Sequence, residues 1–170
     1  MEPLKNRFTE RQRQFFSNLS NYIGEDIYFY GSVMRFDYIK GKSDIDICIF
    51  TNNVSSTLHK LCMFLNIPRQ QFKKIILKIE NKVVHGSKTA FENTEDDIDV
   101  EISVFDETYK EQVLMDNERN IPIYKLVILY IIKICYYVLD IISGENYKQL
   151  KRFIMNDNEK KFIVMDNFIE

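Results

Sequence analysis

Tryptophan is absent from this sequence, and glycine and proline are scarce, with five and three among 170 residues. So few backbone breakers leave little room for long disordered linkers, and a hydrophobic content of 45% with 13 Phe and 10 Tyr reads as globular. Basic charge is not in excess either: 23 Lys and Arg face 25 Asp and Glu, a net charge of -2. That balance argues against an indiscriminate polyanion binder, which must neutralise many phosphates, so any nucleic-acid contact must be local. Cysteine is limited to Cys48, Cys62 and Cys135, an odd and widely spaced set in apolar surroundings. Neither a disulfide framework nor a zinc ribbon fits; reduced buried thiols and an intracellular, cytoplasmic setting are expected. Residues Met1 to Phe8 hold no apolar stretch and no small-residue cleavage site, so no secretory signal is expected. The longest apolar segment, Ile121 to Ile142, is interrupted by Lys125, Lys133 and Asp140. It is too broken for a membrane span and is expected to be a core helix, with no membrane partner.

What is there reads as one α+β domain over residues 1–170, a mixed β-sheet flanked by helices with a helical C-terminal third. Thr9 and Gln12 match a capping box, and Phe15, Phe16, Leu19, Tyr22 and Ile23 recur at helical spacing, predicting a helix over Thr9 to Ile23. Ile27 to Tyr30 is a short β-prone run that stops at Gly31 and Ser32, and Asp44 to Phe50 is a second. Ser55 to Leu65 looks helical; Phe72 to Ile79 and Asn81 to Phe91 are candidate strands. Ile98, Val100, Ile102 and Val104 alternate with Asp99, Glu101 and Ser103, the pattern of a half-buried strand. From Asp106 the period becomes helical: a short helix to about Asn117, a long one entered through Pro122, and a last one after Ser143 and Gly144. The α/β core is thus expected over about residues 9–105, with helices over 106–170.

Chemistry points to the acids. Asp44 and Asp46, at i and i+2 of a strand, share a face with Cα atoms roughly 6.5 Å apart. Paired hard-oxygen ligands at that spacing suit two magnesium ions, which two-metal phosphoryl or nucleotidyl transfer holds about 3.5–4 Å apart. Asp99, from a neighbouring strand, is the third carboxylate, with Glu101 the runner-up for that place. Gly31 lets backbone approach a phosphate chain closely, and the Ser32 hydroxyl can donate to its oxygens. Alone, an Asp-x-Asp pair is common on solvated strand ends. Arg35, Lys40 and Lys42 lie between these two pieces and are either phosphate or base contacts or plain surface charge; Arg35 and Ser43 join the nucleotide-binding candidates. Arg69, Lys73, Lys74, Lys78, Lys82 and Lys88 gather in one segment, whereas residues 92–107 are dense in carboxylates. That segregation is either a cationic groove leading to an acidic site or a solvated hairpin, and Lys88 is the candidate singled out from it. His59 and His85 have no metal-ligand spacing and read as surface residues.

Gly31 and Ser32, then eleven residues, then Asp44 and Asp46, with Asp99 downstream, resemble the DNA polymerase β nucleotidyltransferase superfamily over about residues 27–105. The stretch from Tyr28 to Ile47 also resembles nucleotidyltransferase-domain proteins of large DNA viruses, which would place the chain in a host cytoplasm. The resemblance implies a small mixed sheet with helices, two Mg²⁺ ions for which Mn²⁺ can substitute, and transfer of a nucleoside monophosphate from an NTP with release of pyrophosphate. It implies Gly31 and Ser32 as the phosphate-binding pair and Asp44, Asp46 and Asp99 as catalytic metal carboxylates. The apolar helix is similar in placement to one in poly(A) polymerase-like members, where a lysine reaches the triphosphate; Lys133 would be that lysine. A bare structural reading of Lys133 has its stem along the core and its ammonium in water. Helix-hairpin-helix segments are lacking, which points to template-independent transfer. The acceptor stays open among a nucleic-acid end, a protein hydroxyl and a small molecule. The alternative is a catalytically idle nucleotide-binding or scaffold subunit of a larger complex.

Overall fold

The computed structural model describes residues 4–79, 82–95, 97–117, 121–155 and 163–164. A one-turn helix α1 (Leu4–Arg7) precedes α2 (Glu10–Ile23), whose capping box forms as the sequence predicts: the Thr9 hydroxyl accepts from the Gln12 amide, and the Gln12 side chain accepts from that of Thr9. Strand β1 (Ile27–Tyr30), a 3₁₀ turn over Gly31–Met34, strand β2 (Ile45–Thr51) and helix α3 (Val54–Leu65) follow. Then come β3 (Lys73–Ile79), β4 (Lys82–Asn93) and β5 (Ile98–Asp106), and the helices α4 (Lys110–Asn117), α5 (Ile123–Tyr137) and α6 (Gly144–Met155). The expected start of β4 at Asn81 lies outside the described residues. One element departs from the all-helical C-terminal third: β6 (Ile163–Val164) pairs with β3, two residues too few to carry a periodic signal.

Among the described residues the sheet runs β1-β2-β5-β4-β3-β6, with β2 and β5 parallel and every other pairing antiparallel. Strict alternation gives it two unlike faces. Ile45, Ile47 and Ile49 of β2 and Ile98, Val100, Ile102 and Val104 of β5 bury against Phe16, Leu19 and Ile23 of α2 and Leu58, Leu61 and Leu65 of α3. On the opposite face, Cys48, Phe50 and Phe105 occupy the C-terminal ends of β2 and β5 and pack with Ile75, Leu77, Val84 and Val113. The N-terminal ends of the same two strands carry the acids on that face. This is an α+β fold with a mixed sheet.

Helix α5 corrects the expectation of a core helix. Its inner side packs Leu129 and Ile132 against Tyr147 of α6, but its outer side is exposed to solvent. Among the described residues no helix is long and apolar enough to cross a membrane.

Candidate active site

Asp46 lies opposite Glu101 in the parallel β2–β5 ladder and opposite Tyr30 in the antiparallel β1–β2 ladder. Asp44 and Asp99 immediately precede the first paired residues of the same two strands, Ile45 and Val100. Four carboxylates therefore meet on one face. Burial, then the charges of Asp44 and Glu101, push the Asp46 carboxyl up to about 8, and a hydrogen bond joins it to Glu101. Asp99 sits at the exposed edge, its carboxyl raised by partial burial and by Asp44, Glu92 and Glu101. Tyr30 closes the floor, its phenol held neutral by burial and by Asp46.

Gly31 follows β1 with φ of +70°, a left-handed conformation, and a Cβ there would overlap the Asp46 carboxylate. Only glycine lets the chain turn this close to the acid. Ser32 is buried and its hydroxyl donates to the Asp44 carbonyl at 3.3 Å, so it braces the strand entry. The Ser43 hydroxyl, also buried, accepts from the Ile39 amide at 3.1 Å.

Two ammonium groups reach the acids. Lys88 of β4 is 2.5 Å from Glu101, and Lys151 of α6 is 3.8 Å from Asp44. Burial pulls the Lys151 ammonium down, but Asp44, Tyr147 and the other acids outweigh it and raise its pKa. The β3–β4 register divides the remaining basic segment: Lys73 pairs with Lys88, which places both on the acidic face, whereas Lys74 and Lys78 alternate onto the other. A single cationic groove built from the whole segment is therefore not what the fold makes.

Lys133 and Arg35 meet elsewhere. Both hold Asp37, which is completely buried: Arg35 at 2.8 and 3.1 Å, Lys133 at 3.1 Å, with Lys133 also donating to the Asp37 carbonyl at 3.0 Å. Burial acts to raise the Asp37 carboxyl, but the two cations hold it below the ordinary range. Burial lowers the Lys133 ammonium despite Asp37. The ammonium does not reach water, as a lysine whose stem alone lay in the core would; it fastens α5 to the loop between Ser32 and Asp44.

The donor set suits a hard divalent cation: carboxylate oxygens with more negative charge than the two lysines balance. As the side chains stand, no group of three His, Cys, Asp or Glu closes on one ion among the described residues. The buried Tyr38 hydroxyl has no hydrogen-bond partner and lies in the field of Asp44, as does that of Tyr147, which is hydrogen-bonded to Tyr137. An orphaned hydroxyl beside an acidic cluster fits a site that completes itself on a polar ligand.

Residues 9–169 match the family described as the nucleotidyltransferase domain. The chain belongs to that family. Among curated proteins none matches. Two solved structures, the first described as a non-canonical poly(A) polymerase complex, are similar to this nucleotidyltransferase chain. The GLD-2–GLD-3 complex is 18% identical over 56% of this chain and 34% of the other, with a TM-score of 0.34. The GLD-2/RNP-8 complex is 14% identical over 75% and 46%, also at 0.34. The chain thus spans less than half the length of either.

Sequence reasoning missed Asp37, Lys151 and the tyrosines of this candidate site. Tyr147 and Lys151 stand four residues apart on α6, the spacing of one helix face, which is the available signal for that pair. Nothing in the sequence marks Asp37.

Proposed function

We propose that the chain is a template-independent nucleotidyltransferase that moves a nucleoside monophosphate from an NTP to an acceptor hydroxyl and releases pyrophosphate. The observation that carries this reading is the Asp46 carboxyl, crowded between Asp44 and Glu101 beside a glycine that no other residue can replace without overlap. Such mutual repulsion favours a bound cation.

Asp44, Asp46 and Glu101 would hold magnesium or manganese, with Asp99 at the outer edge. Glu101 takes precedence over Asp99 because it lies directly opposite Asp46 in the ladder. When bound, the two ions supply Lewis-acid stabilisation of the attacking and departing oxygens. The chain's own part is orientation. Gly31 opens the floor for a phosphate chain, Ser32 fixes the entry of β2, and Lys151 and Lys88 offer ammonium donors at the rim. Tyr38 offers a hydroxyl to the ligand.

The acceptor is a nucleic-acid end, a protein hydroxyl or a small molecule. The test is pyrophosphate release from each NTP with Mg²⁺ or Mn²⁺ and each acceptor class, for the parent and for Asp44→Asn and Asp46→Asn. Release by the variants as fast as by the parent would end this reading. The idle-subunit reading draws on the lysine pairing of Glu101 and Asp44. Nucleotide binding heat that is independent of Mg²⁺, with no turnover, would favour it.

A further inference from the structure

Helix α5 is inside out. Its two charged residues point inward, Lys125 at 8% and Lys133 at 1% exposure, while Ile123 (74%), Tyr124 (62%), Val127, Ile128 and Ile131 (53%) face solvent, continued past the helix end by Val138. At 100° per residue these six side chains fall on one stripe, and that stripe contains no charge.

We propose that this stripe is the interface of a homodimer, the α5 helix of one copy packed on that of a second about a two-fold axis. Exposed to between 42% and 74%, the five aliphatic side chains and one tyrosine of the stripe together offer an area on the order of 600 Å², the low end of the standard range. A standard interface takes about 800 Å² from each partner. Its composition, uncharged along the whole stripe, is that of homodimer interfaces, whereas transient interfaces with other proteins mix in charged groups. A lipid surface fits less well, because interfacial helices keep Lys and Arg on an outward polar flank and α5 has turned both of its lysines inward. An isologous contact places each residue of the stripe against the same stripe, where there is no like charge to repel.

The proposal does not depend on the catalytic reading. It is tested by sedimentation equilibrium of the full chain from about 1 to 100 μM, a range chosen to bracket micromolar association. The parent is expected at twice the chain mass. Val127→Asp and Ile131→Asp are each expected to weaken dimerisation by at least about 100-fold, because the two-fold symmetry makes each charge appear twice. Both positions are exposed, so circular dichroism should match the parent's, while the parent should melt higher than the variants, and increasingly so at higher concentration, because dimerisation stabilises the folded chain. As a second reading, amide exchange over Ile123–Tyr137 should quicken on dilution of the parent. A parent that stays monomeric at the highest concentration overturns the proposal. So do charged variants that dimerise like the parent, α5 exchange independent of concentration, or a monomer that floats with phosphatidylcholine–phosphatidylglycerol vesicles.

Discussion

Asp46→Asn should make the metal-free protein more stable at neutral pH, and the gain should vanish in mild acid. The Asp46 carboxyl titrates at about 8 in the folded chain, raised by burial and by Asp44 and Glu101. In the unfolded chain an aspartate titrates near ~3.9. Between those values the folded form keeps a proton that the unfolded form has lost, so stability falls as pH rises through the window. One proton is worth about 1.4 kcal/mol per pH unit, which sets a ceiling of roughly 3.4 kcal/mol between pH 5 and 7.5. Asp46 is partly open to solvent, so about 2 kcal/mol is expected. That is about 4–8 °C in melting temperature for a chain of this length. Thermal unfolding of parent and variant in chelator, across pH 5 to 7.5, measures it. Asp99, raised in the same sense, is present in both proteins and drops out of the comparison. Magnesium added at pH 7.5 should raise the parent's melting temperature and leave the variant's nearly unchanged. Parallel pH profiles for the two proteins would refute the account of the acidic cluster.

Gly31→Ala puts a methyl group into the Asp46 carboxylate at φ +70°; a loss of at least about 2 kcal/mol in urea unfolding is expected, about 1–2 of it from the left-handed backbone alone. Glu101→Gln should lower the pyrophosphate-release rate by about 100-fold, and Asp99→Asn, at the exposed edge, by less than about 10-fold; the reverse order would restore Asp99 as the inner carboxylate. Asp37→Asn strands Arg35 and Lys133 in the interior and should destabilise by about 3–5 kcal/mol, whereas Lys133→Met, which leaves the Arg35–Asp37 pair, should lose about 1. Because the Asp37 carboxyl is depressed, its contribution is present above the ordinary aspartate pKa and is lost only as pH falls through the folded value, so acid titration of the Asp37→Asn protein should lack that step.

Local signals in the sequence were enough for the elements that local chemistry dictates. The Thr9–Gln12 capping box placed the start of α2, and the alternation of Ile98, Val100, Ile102 and Val104 placed β5 and its buried face. Gly31, Asp44 and Asp46 were legible as a group because a turn and an i, i+2 pair need only local geometry. Glu101 was legible as a candidate but its register opposite Asp46 was not, since that ladder joins residues 55 positions apart. Lys133 and Arg35 were read as ligand-facing or surface charges because Asp37, the residue that binds both, looks like any loop aspartate until the fold buries it. Helix α5 misled for a related reason: an apolar run with two lysines reads as a core helix, and only packing reveals that the lysines took the inner side.

The two lysines at the acids lead to the last prediction. Lys151 stands 3.8 Å from Asp44, and its ammonium is held charged by Asp44 and Tyr147 against the opposing effect of burial. A cation arriving at Asp44 must displace that ammonium, so Lys151 competes with magnesium, and once displaced it is free to turn toward phosphate. Two opposite effects follow from one substitution. Lys151→Met should tighten Mg²⁺ binding in the absence of nucleotide by about 5-fold, the equivalent of the ~1 kcal/mol that two charges 4 Å apart exchange in a water-like medium. The same variant should raise the KM for NTP, because the phosphate chain loses a donor. Calorimetric titration with Mg²⁺ and steady-state pyrophosphate release separate the two. A lysine that merely decorates α6 would change neither, and one that only helps hold the fold would weaken both; opposite signs are expected only if a single ammonium serves the acids first and the phosphates afterwards.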